Sequence, residues 1–576
     1  MTTPAMFMWD KVHLLKKVEI KKKLNKLKIY FRLMAKKDYS GWAKSELVKE
    51  LEKKDKLLKK KYGVVWEDKP EQVALLCKEK LPVLVEDEGK EIVIDKEKPI
   101  NFLIEGDNYH ALSVLNYTHK GEIDVIYIDP PYNRGNEGFR YNDKIVDEED
   151  PYRHSKWLSF MAKRLSLAKN VLRRTGLIFI SIDENEFAQL KLLCDEIFGE
   201  KNFAACITWR QLHTVKNSAK YFSKNTEYLL VYAKSLASID KLRQPADKSE
   251  SYTYDDKDGK GPYKLDPLSA RNKNIEYEFY FDKWRLKWRA PKGSYPRYSQ
   301  ATLKKMYEVG EIIYKKGWKE PKAKRYLSRV QEGVPPSTFW DGSEVGFNAT
   351  ATGELASLLS RDAFLSPKPT GLIKRCVEIG TIKNKESIVL DFFAGSGTTG
   401  HAVIDLNKGD KGNRKFILCT NNENNICTNV CYPRIKKVIK NLEKESKGKL
   451  VNKVGALKYF KTDFVDAEPT DRNKKKLVDK STEMLCLKEE CFDEIKEGQD
   501  FKIFKNSQDK HLGIIYDDEG IEPFKKEVKK INKKFVVYVF SLDENAREEE
   551  FEDMNGLVEL RPIPAVILNV YKRIFK

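Results

Sequence analysis

The sequence predicts an α/β protein built on a parallel sheet that a large insert interrupts. Three observations predict it. Val125-Ile126-Tyr127-Ile128 is a short apolar run that ends in Asp129-Pro130-Pro131-Tyr132. Ile388-Val389-Leu390-Asp391-Phe392 is a second, ending in Phe393-Ala394-Gly395-Ser396-Gly397. The long stretch between them turns basic and aromatic and loses helix or strand periodicity. Short apolar runs bounded by turn residues read as strands buried on both faces. A polar or glycine-rich turn at the C-terminal end of such a strand is where open α/β sheets bind ligands.

At 576 residues the chain has room for about two to four domains with their own cores. It carries 107 Lys+Arg against 87 Asp+Glu, a net charge of +20. Such an excess favours a polyanionic partner, because each phosphate contact releases counterions. A lysine-inflating genome composition would give the same excess. The nine cysteines are irregularly spaced, with no C-x-x-C pair and no Cys/His cluster of zinc spacing. Reduced, buried thiols in a cytoplasmic protein follow, with no metal expected. No apolar run approaches the ~18 residues of a membrane span. The N-terminal 31 residues lack the uninterrupted apolar core of a signal peptide and read as a basic amphipathic helix.

Residues 1–95 read as a basic helical extension, with Gly63 as a helix C-cap, followed by a charged connector (64–95) without an assigned chemical role. The α/β texture occupies 96–234 and 362–445. Its first half contains strands at 101–105, 123–128, 176–182 and 226–233, with helices at 109–120, 152–172 and 186–198. The acidic turn Asp183-Glu184-Asn185-Glu186 suits a helix start. Its second half opens with Pro367-Lys368-Pro369-Thr370 before a helix and continues through the strands at 388 and 415–419. Residues 235–361 form the insert. Trp284-Arg285-Leu286-Lys287-Trp288-Arg289, with Arg297 nearby, interleaves rings and cations in the manner of a nucleic-acid surface. A small β domain with core aromatics and solvated cations has the same composition. Residues 446–576 read as a further α/β domain for interaction or dimerisation, with strands near 512–516, 535–542 and 558–560 and helices near 521–531 and 564–574.

The Asp129 turn suits an exocyclic ring amine. Such a nitrogen is a poor nucleophile because its lone pair is delocalised into the heterocycle. Accepting hydrogen bonds from both N–H groups frees that lone pair. The Asp129 carboxylate and the Pro130 carbonyl can do this. Pro131 stiffens the turn, and Tyr132 can stack on the ring. A base in duplex DNA reaches such a pocket only by flipping out. The glycine turn, Gly395-Ser396-Gly397-Thr398-Thr399-Gly400, fits close approach to a nucleoside and equally a dinucleotide site. It lacks the Lys-Ser/Thr ending of a nucleotide-hydrolysing loop. Glu423, beyond the next strand, lies at the distance of a ribose contact. Asp107 suits an adenine amine, and equally a helix N-cap. Lys368 and Pro369 read plainly as part of the N-terminal stop of the helix that follows, and their position before the cofactor strand suggests that they also line its pocket.

In combination these segments resemble the β-class DNA amino-methyltransferases, in which the amine-binding motif precedes the cofactor motif with the recognition domain between. The resemblance is closer still to the modification (Mod) subunit of Type III restriction–modification systems. It covers roughly residues 64–576 and includes Leu103-Ile104-Glu105-Gly106-Asp107-Asn108, the Asp129 block, Gly176–Glu186 and Lys368–Arg375. It implies a Rossmann-like, circularly permuted methyltransferase domain with an inserted target-recognition domain. It also implies S-adenosyl-L-methionine as methyl donor and adenine N6 as acceptor. Asp129, Pro130, Pro131 and Tyr132 fall on the amine-binding motif. Phe393, Gly395 and Gly397 fall on the cofactor motif, with Asp391, Ala394, Ser396 and Thr398 beside them, and Lys368 and Pro369 on its accessory motif. Double-stranded DNA, a homodimer and a helicase–nuclease restriction subunit are the implied partners. Arg134 departs from the family, which usually has a smaller Thr there, and adds a cation for a phosphate or for solvent. The alternatives are cytosine-N4 or orphan methylation, an NAD-dependent oxidoreductase, which leaves the Asp129 turn unexplained, and a non-catalytic DNA adaptor, which an intact amine-binding turn argues against.

Overall fold

A computed structural model describes residues 63–95, 98–135, 139–142, 144–244, 251–329, 333–446, 455–543, 545–554 and 556–575. The predicted helices of 1–62 lie outside the described residues.

The centre is an eleven-stranded sheet. From one edge it runs through Lys80–Glu86, Ala456–Asp466, Ile100–Glu105, Lys415–Thr420, Ile388–Asp391, Ile123–Ile128, Leu172–Ile182, Thr226–Ala233, Phe203–Arg210 and Phe339–Asp341, with Ile92–Val93 pairing beside Ala456–Asp466. Six consecutive strands, from Ala456–Asp466 to Leu172–Ile182, are parallel. All six residues of Ile123–Ile128 are buried. This is what a strand covered by helices on both faces requires, and why its sequence is uninterruptedly apolar. The helix Thr370–Thr381 packs close on it: a Cβ on Gly380 would meet Val125 Cγ2 at 2.3 Å.

The order of strands matters more than their number. Ile388–Asp391 and Lys415–Thr420, from the second half of the chain, insert between Ile100–Glu105 and Ile123–Ile128, from the first half. Val389 pairs with Val125 and Leu390 with Ile126. The strand before the glycine turn therefore lies directly beside the strand before the Asp129 turn.

The insert builds its own small core around Leu268, Phe279, Phe281, Trp288, Leu303 and Ile312. It is made of short antiparallel pairs and the helix Gln300–Glu308. Its last part behaves differently. Phe339–Asp341, inside the stretch read as insert, pairs parallel with Phe203–Arg210 and extends the main sheet. Three further strands outside the sequence reading of the α/β unit also join it, the short Ile92–Val93 of the connector among them. Lys80–Glu86 comes from the connector, and Ala456–Asp466 from the C-terminal block. The rest of that block forms a separate five-stranded sheet, 493–497, 501–505, 511–515, 535–540 and 558–563, with the helix Ile521–Ile531 on one face. The last helix, Ala565–Ile574, returns to the main sheet, where the Tyr571 hydroxyl donates to the Pro82 carbonyl (2.5 Å).

Candidate active site

Asp129 lies one residue past its strand and Phe393 two past its own, so both turns open on the same sheet edge. Chain direction diverges here: Ile388–Asp391 leads on to Lys415–Thr420 on one side, and Ile123–Ile128 to Leu172–Ile182 on the other. Such a switch point leaves a crevice. It holds a cavity of about 440 Å³, within the range of small-ligand sites. Asp129, Pro130, Pro131, Asp107, Lys368, Asp391, Phe393–Ser396, Thr398 and Glu423 line it. Pro369 instead stands at the N-cap of Thr370–Thr381.

The glycine turn is shaped by backbone need. Gly395 and Gly397 have φ of 48° and 78°, a region where a Cβ is strained. A Cβ on Gly400 would meet Ile435 Cδ1 at 2.7 Å. The buried Asp391 carboxylate braces the turn, accepting from Phe393 N (2.9 Å) and Thr399 Oγ1 (2.5 Å). Burial pushes its pKa up to about 7 against these hydrogen bonds. Arg434 braces it from below, donating to Ser396 Oγ (3.1 Å) and Thr398 Oγ1 (2.7 Å). Burial pulls that guanidinium down to about 10.

A further acidic group faces the cavity from the connector. Glu71 is buried, its Oε1 2.8 Å from Arg164 Nη1. Arg164, fully buried, also donates to Asn108 Oδ1 and, at 3.3 Å, to Asp107 Oδ1. Asp107 Oδ1 accepts from Tyr109 N (2.7 Å) and caps the helix Asn108–Thr118. The cap and the cavity-lining position coexist in one residue. Glu423, expected at a ribose, pairs with Arg140 (2.8 Å) at the cavity wall.

The Asp129 turn is held from three sides. Trp157 Nε1 donates to the Pro131 carbonyl (2.7 Å). The Tyr132 hydroxyl lies 2.8 Å from Asp129 Oδ1 and 3.2 Å from Glu227 Oε2. Lys368, expected as a cofactor residue, puts its ammonium on this turn as well: 3.2 Å from Asp129, 3.0 Å from Glu227 and 2.9 Å from the Tyr132 hydroxyl. Burial opposes its charge, but the two carboxylates outweigh burial and push its pKa upward. On the far side, Asn133 takes a left-handed φ of 56° and donates to the fully buried Glu186 (2.5 Å). Arg134 neither points to solvent alone nor stands free for a phosphate. It pairs with Asp183 (2.7 Å) and lies 3.7 Å from Glu227. The acidic turn read as helix punctuation thus clamps the two residues after Tyr132.

The insert residues separate. Trp288 is buried in the insert core, its Nε1 donating to Glu320 (3.2 Å). Its ring cannot stack on a base, and the nucleic-acid role read for it is corrected to a core role. Trp284 is half-buried against the same core. Lys287 and Arg289 are exposed but paired with Glu278 (2.6 Å) and Glu276 (2.8 Å), and Arg297 with Asp266 (3.0 Å). Arg285 is exposed in a left-handed turn.

Sequence reasoning missed Glu227, Arg434, Arg164 and Glu71. Glu227 carried a signal: a lone carboxylate near the start of an otherwise apolar strand, where Glu is disfavoured. Arg164 carried a similar one, a cation among Leu158, Met161, Leu165 and Ala168 on the buried face of its helix. Among the described residues no group of three or more His, Cys, Asp and Glu could hold a metal, and no helix is long and apolar enough to cross a membrane. All nine cysteines are free thiols, eight of them buried.

Fold and cavity define a class: α/β proteins with a ligand-sized cavity at the switch point of a parallel sheet, here with the Asp129 turn on one wall and the glycine turn on the other. Residues 123–430, just over half the chain, match the DNA methylase family (N6_N4_Mtase). The chain belongs to that family. It is similar to the Type III restriction-modification enzyme StyLTI Mod subunit of Salmonella typhimurium (32% identity, 59% of this chain and 55% of that one). It is similar also to the EcoPI Mod subunit of Escherichia phage P1 (33% identity, 64% of each). The Type II methyltransferase M.KpnI of Klebsiella pneumoniae is 34% identical over 57% of this chain and 82% of its own length. The chain thus matches 55% and 64% of the length of these two Mod subunits.

Proposed function

We propose that this protein is a cytoplasmic, site-specific DNA methyltransferase that moves a methyl group from S-adenosyl-L-methionine to adenine N6 in double-stranded DNA. On this reading it is the modification and recognition subunit of a Type III restriction–modification system, working as a homodimer with a helicase–nuclease subunit. One observation carries the reading: the pairing of Val389 with Val125, which opens the Asp129 turn and the glycine turn onto one cavity. The similarity to Mod subunits and to M.KpnI supports it.

The cavity suits the cofactor. The positive-φ glycines permit close backbone approach, and Asp107, Glu71 and Glu423 put carboxylates on its wall for amine and hydroxyl groups. When bound, the cofactor supplies an electrophilic sulfonium methyl. The chain's residues do the rest. Asp129 and the Pro130 carbonyl accept the two N–H bonds of a flipped adenine. This frees the nitrogen lone pair for in-line attack. Tyr132 is fixed through its hydroxyl, so its ring is ordered for stacking. Lys368 and Glu227 fix the Asp129 carboxylate, so little reorganisation remains for the transfer itself.

The test maps N6-methyladenine in genomic DNA from cells with and without the protein, then repeats it with Asp129→Ala. The expected result is a motif-specific mark that disappears in both negatives, with purified Asp129→Ala keeping most of its DNA affinity. Marks at cytosine N4, or methyl transfer near the wild-type rate in Asp129→Ala, would overturn the assignment.

A further inference from the structure

The strands Phe203–Arg210 and Thr226–Ala233 form a hairpin whose connection, residues 211–225, opens beside the catalytic turn. The placement follows from direction. Thr226–Ala233 runs antiparallel to Leu172–Ile182, so it begins at the edge where the parallel strands end. Its second residue is Glu227, the partner of Tyr132 and Lys368. The neck of the connection is closed: Gln211 N and Leu212 N donate to the Asn225 carbonyl at 2.9 and 3.3 Å. Arg210 donates to the His213 carbonyl (2.8 Å), Lys216 N to Ser223 Oγ (2.8 Å), and Lys224 pairs with Glu184 of the acidic turn.

This shaped loop carries its apolar groups outward. Tyr221 is 81% exposed, Phe222 90% and Val215 69%. Two adjacent aromatic rings in water contribute nothing to the core, so their burial awaits a partner. The loop also holds Lys216, Lys220 and Lys224 and no acidic residue. Apolar rings among lysines suit a polyanion with a stackable interior.

We infer that residues 213–224 are a wedge for duplex DNA, an inference that rests on the function proposed above. Lys216 and Lys220 meet backbone phosphates. Tyr221 or Phe222 enters the base stack beside the target adenine and fills the gap that opens when the base turns toward Asp129. The loop thus supplies the duplex-opening step, and the cavity supplies the chemistry. A protein partner on the same rings is the competing occupant. The lysines and the contact of Lys224 with the turn that clamps Arg134 favour DNA.

The experiment uses the full chain with S-adenosyl-L-methionine and two duplexes carrying the mapped site. One is fully paired. In the other the target adenine faces an abasic position and is already unpaired. A Tyr221→Ser/Phe222→Ser double variant should transfer methyl about tenfold or more slowly to the paired duplex. On the unpaired target it should stay within about twofold of wild type. Tyr221→Trp/Phe222→Trp should keep the wild-type rate on both. Equal loss on both duplexes, no loss on either, or an altered oligomeric state with unchanged rates would overturn the wedge while leaving the methyltransferase reading intact. Wild-type protein that methylates neither duplex would sink that reading, and the wedge with it.

Discussion

The Lys368 ammonium lies 3.2 Å from the Asp129 carboxylate, joining the second half of the chain to the turn that ends a strand of the first. Glu227, 3.0 Å away, completes the contact. A buried cation between two carboxylates leaves uncompensated charge when it is removed. Lys368→Met should cost about 3–5 kcal/mol of stability and reduce single-turnover methyl transfer by about a hundredfold or more. Thermal melting and rapid-quench assays on the same preparation measure both. A near-normal transfer rate would mean that Lys368 serves cofactor binding alone.

Glu227→Gln keeps the shape and the hydrogen bond to Tyr132 but deletes one charge. Lys368 is then left with Asp129 alone and draws on the oxygens the target amine needs. The expected outcome is a fall in kcat of about tenfold with the cofactor KM nearly unchanged. A change confined to KM would place Glu227 in the cofactor site instead.

Asp391 gives a pH signature. Its folded pKa is raised to about 7 by burial, against an ordinary value near 3.9 when unfolded. Between these values the native state holds a proton that the unfolded state has lost. Its contribution is therefore complete below about pH 4, declines as pH rises toward about 7, and is flat above. Asp391→Asn removes that dependence. The Tm difference, variant minus wild type, should rise from pH 5 to pH 7 and level off by pH 8. A difference that is flat over this range would show that Asp391 is ionised throughout.

Glu186 and Asn133 test the clamp behind the turn. Glu186 is fully buried, and burial raises its pKa against the hydrogen bonds that lower it. Glu186 Oε2 and Asn133 Oδ1 have no hydrogen-bond partner among the described residues. Glu186→Gln keeps an acceptor for Asn133 and removes a buried charge, so stability and activity should remain close to wild type. Glu186→Ala strands the Asn133 amide and should cost about 1–3 kcal/mol, with activity falling as the left-handed turn loosens. The pair of melting curves decides between clamp and filler.

In the insert, two neighbours should part company. Trp288→Ala empties the insert core and should lower stability by about 3–5 kcal/mol. Arg285→Ala should leave the melting curve in place and reduce the salt slope of DNA binding by about one. Equal effects from both would overturn the separation of core from surface.

How much was legible follows the physics of each element. The strand at 123–128 was read to the residue, and that at 101–105 to within one, because a strand covered on both faces is an unbroken apolar run. Phe203–Arg210, Lys80–Glu86 and Phe339–Asp341 escaped: the first has only two buried positions, the second carries Pro82 within a charged connector, and the last is three residues long. In the site, Asp129, Asp107 and the glycine turn were legible from local spacing. Glu71 was not: it sits in a charged connector with no motif around it.

By itself the sequence determined the two turns, the strands that present them and the separate basic insert, because apolar runs and turn chemistry are local properties of the chain. Only the tertiary structure decided that the strand at 388 lies against the strand at 123, and that Lys368, Glu227, Arg434 and Glu71 converge on the two turns. Those placements depend on which strand pairs with which across the whole chain, a choice made by collective burial of the sheet and written in no short segment. The insert's own small core took Trp288 out of the candidate interface, and the connection between Phe203–Arg210 and Thr226–Ala233 left Tyr221 and Phe222 in the open.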